Sequence, residues 1–117
     1  MKINNFYDLV LKPEVIHGGV GECMHSTVFS ESEFDTPVRF MNYTVLPPKT
    51  TFGMHKHGDD NEVYIVLSGE GIYTQDGEAA EVRKGSVMIN GVNSSHGIEN
   101  TGDCNMELLV LEVYNKH

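Results

Sequence analysis

The sequence predicts an all-β domain, on three observations. From Val38 onward, short runs rich in Val, Ile, Thr and Tyr follow one another with no helical period between them. All four Pro lie at or before Pro48, whereas nine of the twelve Gly lie from Gly53 onward at short intervals, the spacing of tight turns between strands. Asp76-Gly77 is a pair whose positive φ angles match the twist of a two-residue hairpin turn.

Taken in order, residues 5–11 are the one helical candidate, because Phe6, Leu9 and Val10 can share a face before Lys12-Pro13 stops it. His17-Gly18-Gly19-Val20-Gly21 reads as a turn, and 24–29 as a strand. Eight further strands are expected at 38–46, 50–57, 62–67, 71–75, 78–83, 86–90, 95–99 and 105–114. No repeat or linker divides the chain, so residues 1–117 are expected to form a single domain, with an arm over 1–30 and a barrel over about 38–115. The arm is apolar at Val15, Ile16, Val20, Met24, Val28 and Phe29 and is a natural strand to donate to a second subunit; a homodimer is expected.

The chain of 117 residues carries eight Lys and Arg against seventeen Asp and Glu, a formal charge of −9. That balance leaves almost nothing from which to build a phosphate-tracking surface, so neither nucleic acid nor an anionic membrane is an expected partner. No apolar run approaches a bilayer span and the first residues lack a signal-like segment, so a cytoplasmic location is expected. Cys23 and Cys104 are expected as reduced thiols, since a domain of this length needs no disulfide framework.

The six His are the unusual feature of so acidic a chain. His55-Lys56-His57 lies in an expected strand, where residues two apart face the same way about 6–7 Å apart. After the turn Gly58-Asp59-Asp60-Asn61, Glu62 opens a returning strand, which on this reading brings its carboxylate beside both imidazoles in one hairpin. His96, much later, is a fourth candidate. A His-x-His pair alone is expected by chance about 0.3 times in a chain of this composition; adding Glu at its spacing and Gly69 after it lowers the figure to roughly 0.003.

Gly53-Met54-His55-Lys56-His57-Gly58-Asp59-Asp60-Asn61-Glu62, followed by Gly69, resembles the first motif of the cupins. Gly85-Ser86-Val87-Met88-Ile89-Asn90 with Asn93, His96 and Asn100 resembles the second. The resemblance covers about residues 45–115 and implies a jelly-roll β-barrel. It also implies that His55, His57, Glu62 and His96 bind one divalent transition metal per chain, Mn, Fe, Co, Ni, Cu or Zn. Three positions depart from the family pattern: Lys49 and Asn93 stand where Gly is usual, and Gly91 where Pro is usual. Asn tolerates a left-handed backbone well.

Strand alternation places Tyr64 and Val66 on the face of Glu62, and Ile98 on that of His96. Tyr64 is therefore a candidate substrate contact, set against the commoner fate of a Tyr satisfied by backbone. Arg39 is a candidate carboxylate clamp, set against a surface ion pair; either face of 39–46 can meet the cavity. Met54 and Met88 read as packing, Asp59 and Asp60 as a solvated turn, and His17, Cys23 and His25 as a poor second metal site. The function expected is metal-dependent chemistry on a small molecule, a carboxylate or a sugar, of the dioxygenase, decarboxylase or isomerase type. The alternative is a binding or sensing module without turnover.

Overall fold

In the computed structural model, which describes residues 1–115, the alternating segments fold into ten strands: β1 (Lys12–Glu14), β2 (Cys23–Ser30), β3 (Val38–Leu46), β4 (Thr51–Lys56), β5 (Asp60–Ser68), β6 (Glu70–Gln75), β7 (Glu78–Arg83), β8 (Val87–Asn90), β9 (Ser95–Asn100) and β10 (Met106–Tyr114). They form two antiparallel sheets, one in the order β1-β2-β3-β10-β5-β8 and the other β4-β9-β6-β7. Two antiparallel sheets with no regular helix match the all-β class that the patterning predicts and the jelly roll that the resemblance implies. Among the described residues no helix is long and apolar enough to cross a membrane.

Register sets where the polar groups go. Inward-facing residues stack across β3, β10 and β5 in layers: Leu46 opposite Met106; Thr44, Leu108 and Val66; Asn42, Val110 and Tyr64; then Phe40, Glu112 and Glu62. The lower layers hold the apolar core with Cys23, Phe52, Tyr73, Val82 and Ile98, while the top layer is acidic. On β3 it is therefore Phe40, Asn42, Thr44 and Leu46 that face inward. Tyr43, on the opposite face, is buried beneath Phe6 and Tyr7, with ring centroids 4.6 and 5.8 Å away.

Four local expectations are corrected. Residues 5–11 form only a 3₁₀ turn at Phe6–Asp8, whose first turn is capped by the Asn5 side chain accepting from the Tyr7 N–H at 2.9 Å; Pro13 then sits in an edge strand, β1, that was not foreseen. Edge placement suits a residue with no N–H to donate. β4 stops at Lys56, so His57 lies beyond the strand, held by its N–H to the Ser94 carbonyl at 2.9 Å. β4 and β5 also belong to different sheets, so residues 57–59 cross from one sheet to the other rather than closing a hairpin. Asp60 is the first residue of β5 and is buried, not part of a solvated turn.

The turns follow their sequence chemistry. Asp76 and Gly77 have φ of 48° and 84°, and Asn93 and Lys49, at the two positions where cupins favour Gly, have φ of 61° and 70°. Residues 16–20 fold back onto β4 of their own chain: the Ile16 carbonyl accepts from Gly53 N–H at 3.1 Å, and the Val20 carbonyl from Thr51 N–H at 3.0 Å. Gly53 permits this approach, because a Cβ there would overlap the His17 carbonyl. Gly53→Ala is expected to lift this segment and cost about 1–3 kcal/mol, read as a lower melting temperature with faster proteolysis over residues 16–21.

Candidate metal centre

The top layer gathers the ligands from both sheets. β5 points Glu62 inward from one sheet, while β4 and β9 of the other make His55 and His96 direct cross-strand partners. His57 reaches the same point from the crossover. His96 Nε2 lies 3.0 Å from His55 Nε2, 3.1 Å from His57 Nε2 and 2.9 Å from Glu62 Oε1; Glu62 Oε1 is 3.2 Å from His57 Nε2 and 3.8 Å from His55 Nε2. Past the strand end, the His55 and His57 rings are 4.8 Å apart, closer than the repeat along a strand allows. His96 is fully buried and Glu62 is 5% exposed.

The far ring nitrogens decide what this cluster can hold. His55 Nδ1 donates to the Gly53 carbonyl at 2.7 Å, and His57 Nδ1 to Asp60 Oδ2 at 3.0 Å. His96 Nδ1 lies 3.0 Å from the Tyr73 hydroxyl, which itself donates to Gln75 Oε1 at 2.8 Å and so accepts from His96. With each proton fixed on Nδ1, three Nε2 lone pairs and a carboxylate oxygen converge within 4.8 Å of one another. Acceptors cannot bond one another at 3 Å; they need a cation between them. Donors bound at about 2.1 Å and near right angles around one ion stand about 3.0 Å apart, so the four spacings of 2.9–3.2 Å fit a divalent metal, with His55 and Glu62, 3.8 Å apart, subtending a wider angle. Three imidazoles and a carboxylate suit the Mn-to-Zn series.

Without a metal, a proton takes that place. Bonding to Glu62, opposed by burial and helped by Asp60, raises His57 to about 9. Burial alone would raise the Glu62 carboxyl, but bonds from His55, His57 and His96 hold it far below the usual carboxylate range. Burial lowers His96 more than Glu62 raises it. Burial and the nearby Glu62 push Tyr64 well above the usual phenol, so it serves as a donor, its hydroxyl 3.3 Å from His96 Nε2 and its ring stacked on that imidazole at 4.7 Å.

Of the other sequence candidates, Arg39 is half-exposed at the cavity mouth, its guanidinium 3.3 Å from Glu112 Oε1. His17 stacks flat on His55 with centroids 3.6 Å apart, and His25 bonds Thr44 Oγ1 at 2.8 Å. Cys23 is buried elsewhere and Cys104 is exposed; among the described residues neither they nor His17 and His25 join a metal-competent group, and His117 lies outside the described residues. Met88 packs against the core and Met54 is exposed.

Sequence reasoning passed over three groups that orient the ligands. Asp60 and Glu112 flank His57 Nδ1 at 3.0 and 3.6 Å, and Tyr73 fixes His96. Burial, followed by bonding to Asp60, raises Glu112 to about 7. The signal was present in period-two alternation: Met106, Leu108 and Val110 face inward, so Glu112 ends an inward row. Tyr73→Phe is expected to weaken metal affinity about 10- to 100-fold while leaving the fold intact, measured by competition with a chelator.

Comparison with known proteins agrees with this geometry. The cupin domain family matches residues 42–112. An oxalate-binding protein of Thermotoga maritima is 32% identical over 96 residues, spanning 82% of this chain and 79% of that one. The crystal structure of a predicted oxalate decarboxylase from Thermotoga maritima superposes with a TM-score of 0.93 at 27% identity, over 96% of this chain and 98% of that one. The cupin domain of Schizosaccharomyces pombe Cnp3 shares the fold, with a TM-score of 0.78 at 14% identity over 94% of this chain and 72% of that one. On its motifs, its barrel and its family match, the chain belongs to the cupins.

Proposed function

We propose that the protein holds one divalent transition-metal ion on His55, His57, Glu62 and His96 and uses it to bind a small carboxylate. The observation that carries this is the locked orientation of three imidazoles, whose Nδ1 protons are all engaged and whose Nε2 atoms face one carboxylate oxygen. A bound divalent ion supplies Lewis acidity toward a carboxylate oxygen. With one carboxylate ligand the centre keeps a local charge of +1, which draws an anion into an otherwise acidic shell. On this reading Tyr64, whose hydroxyl lies 3.3 Å from His96 Nε2, donates to that anion, and the oxalate-binding relative supports the ligand class.

Turnover of the decarboxylase, dioxygenase or isomerase type extends this function. Binding without turnover is the second reading, favoured by Arg39, the other candidate side chain, being engaged by Glu112 at the mouth. Calorimetry of the protein loaded with Mn, Fe, Co, Ni or Zn and titrated with oxalate is expected to show metal-dependent binding, weakened at least about tenfold by Tyr64→Phe. Carbon dioxide release and oxygen uptake in the same samples distinguish turnover from retention. Oxalate binding that is equal with and without metal would overturn the proposal.

A further inference from the structure

The two sheets differ in what they turn outward. On the four-stranded sheet Thr51, Glu99, Ile72 and Glu81 share one outward row, and both glutamates are exposed, as suits a sheet with one face in water. The six-stranded sheet lacks such a row. Residues alternate faces along each strand, so Met41, Leu111, Val63 and Ile89 line up outward across β3, β10, β5 and β8. Tyr43, Leu109, Ile65 and Val87 form the next outward row. None of these side chains carries a charge. Val87 and Ile89 are 60% and 62% exposed, and at the β3 end Phe6 and Tyr7 continue the apolar surface over Tyr43.

The acid that follows on this face, Glu107 opposite Val45, is bonded from within: the Tyr43 and Ser68 hydroxyls donate to its two oxygens. An apolar face whose neighbouring carboxylate needs no water is suited to being covered.

Charge and area select the cover. Two copies of a chain with a formal charge of −9 repel one another through most approaches, but these uncharged rows meet without setting carboxylate against carboxylate. A patch that packs on itself across a two-fold axis supplies its own complement. Four strands about 4.8 Å apart and six residues of each at about 3.4 Å span roughly 400 Å² in projection; with Phe6 and Tyr7, two copies bury on the order of 1,000 Å² together, the size at which specific interfaces begin. The arm is engaged in its own chain, β2 with β3 and residues 16–20 with β4, so the surface on offer is the flat face and not a donated strand.

We propose that the protein is a homodimer in which two copies pack the outer face of the six-stranded sheet against itself. The inference is independent of the metal function, since Glu62 points to the inward side of that sheet and the two outward rows contain no ligand.

Sedimentation equilibrium on the full chain, with and without metal, is expected to give twice the chain mass at micromolar concentration. Val87→Lys combined with Ile89→Lys is expected to raise the dissociation constant at least about a hundredfold and leave metal content unchanged. Both positions are exposed on the edge strand β8, where Lys is well tolerated, so the barrel is expected to fold. Val20→Lys, at an exposed apolar position of the arm, is expected to leave the dimer intact. A second measurement needs no variant: in the unsubstituted protein the methyl signals of Ile65 and Val87 are expected to be shielded from a soluble paramagnetic probe at high concentration and to become accessible on dilution. A monomer at every concentration would overturn the proposal and leave the face to a different partner. A dimer that persists in the folded double variant, that dissociates in Val20→Lys, or whose Ile65 and Val87 methyls stay open to the probe would overturn it as well.

Discussion

Glu62→Gln is expected to lower metal affinity by at least about a thousandfold, because it removes the only anion among the four donors. Its effect on the metal-free protein is as informative. Glu62 is the largest cause of the raised His57 pKa, so the variant is expected to bring His57 from about 9 back toward its ordinary 6.5, followed by NMR titration of the imidazole. Gln is close to Glu in size, so the barrel is expected to fold. A His57 that still titrates near 9 in this variant would show that Asp60 and Glu112, not the ligand carboxylate, hold the proton.

The metal-free protein is also expected to lose stability as pH rises. A histidine raised on folding stabilises the folded state fully below its unfolded value of 6.5 and stops doing so as pH passes its folded value of about 9. The contribution lost across that window is on the order of 2–3 kcal/mol, a fall of roughly 10 °C in melting temperature. Metal binding replaces the His57 proton, so uptake near pH 7.5 is expected to release about one proton per ion, and the melting temperature of the loaded protein is expected to stay nearly flat over the same window. A flat profile for the metal-free protein contradicts this account of the cluster.

The quartet was legible in the sequence because its information is local: His55, His57 and Glu62 sit within eight residues, and His96 lies in a second recognisable motif. The route by which these residues meet was not legible. A hairpin and a sheet-to-sheet crossover use the same short turn residues, and only the long-range pairing of β4 with β9 and of β5 with β10 separates them. For the same reason Asp60 read as solvated: it looks like a turn residue until β5 begins at it. Glu112, Tyr73 and Asn42 depend on which face of a strand turns inward, and Arg39–Leu46 offered two equally plausible faces. The expected strands, by contrast, lie within two residues of the observed ones because Gly turns and apolar runs bound them, and the segments at 38–46 and 78–83 match β3 and β7 residue for residue; β1, built around Pro13, carried no such signal.

The most direct measurement is elemental analysis of the tag-free protein and of His57→Ala, each reconstituted with divalent metal and freed of excess. The account predicts about one ion per chain in the first and less than about a tenth in the second. Equal metal content in the two proteins, or none in the first, would contradict it.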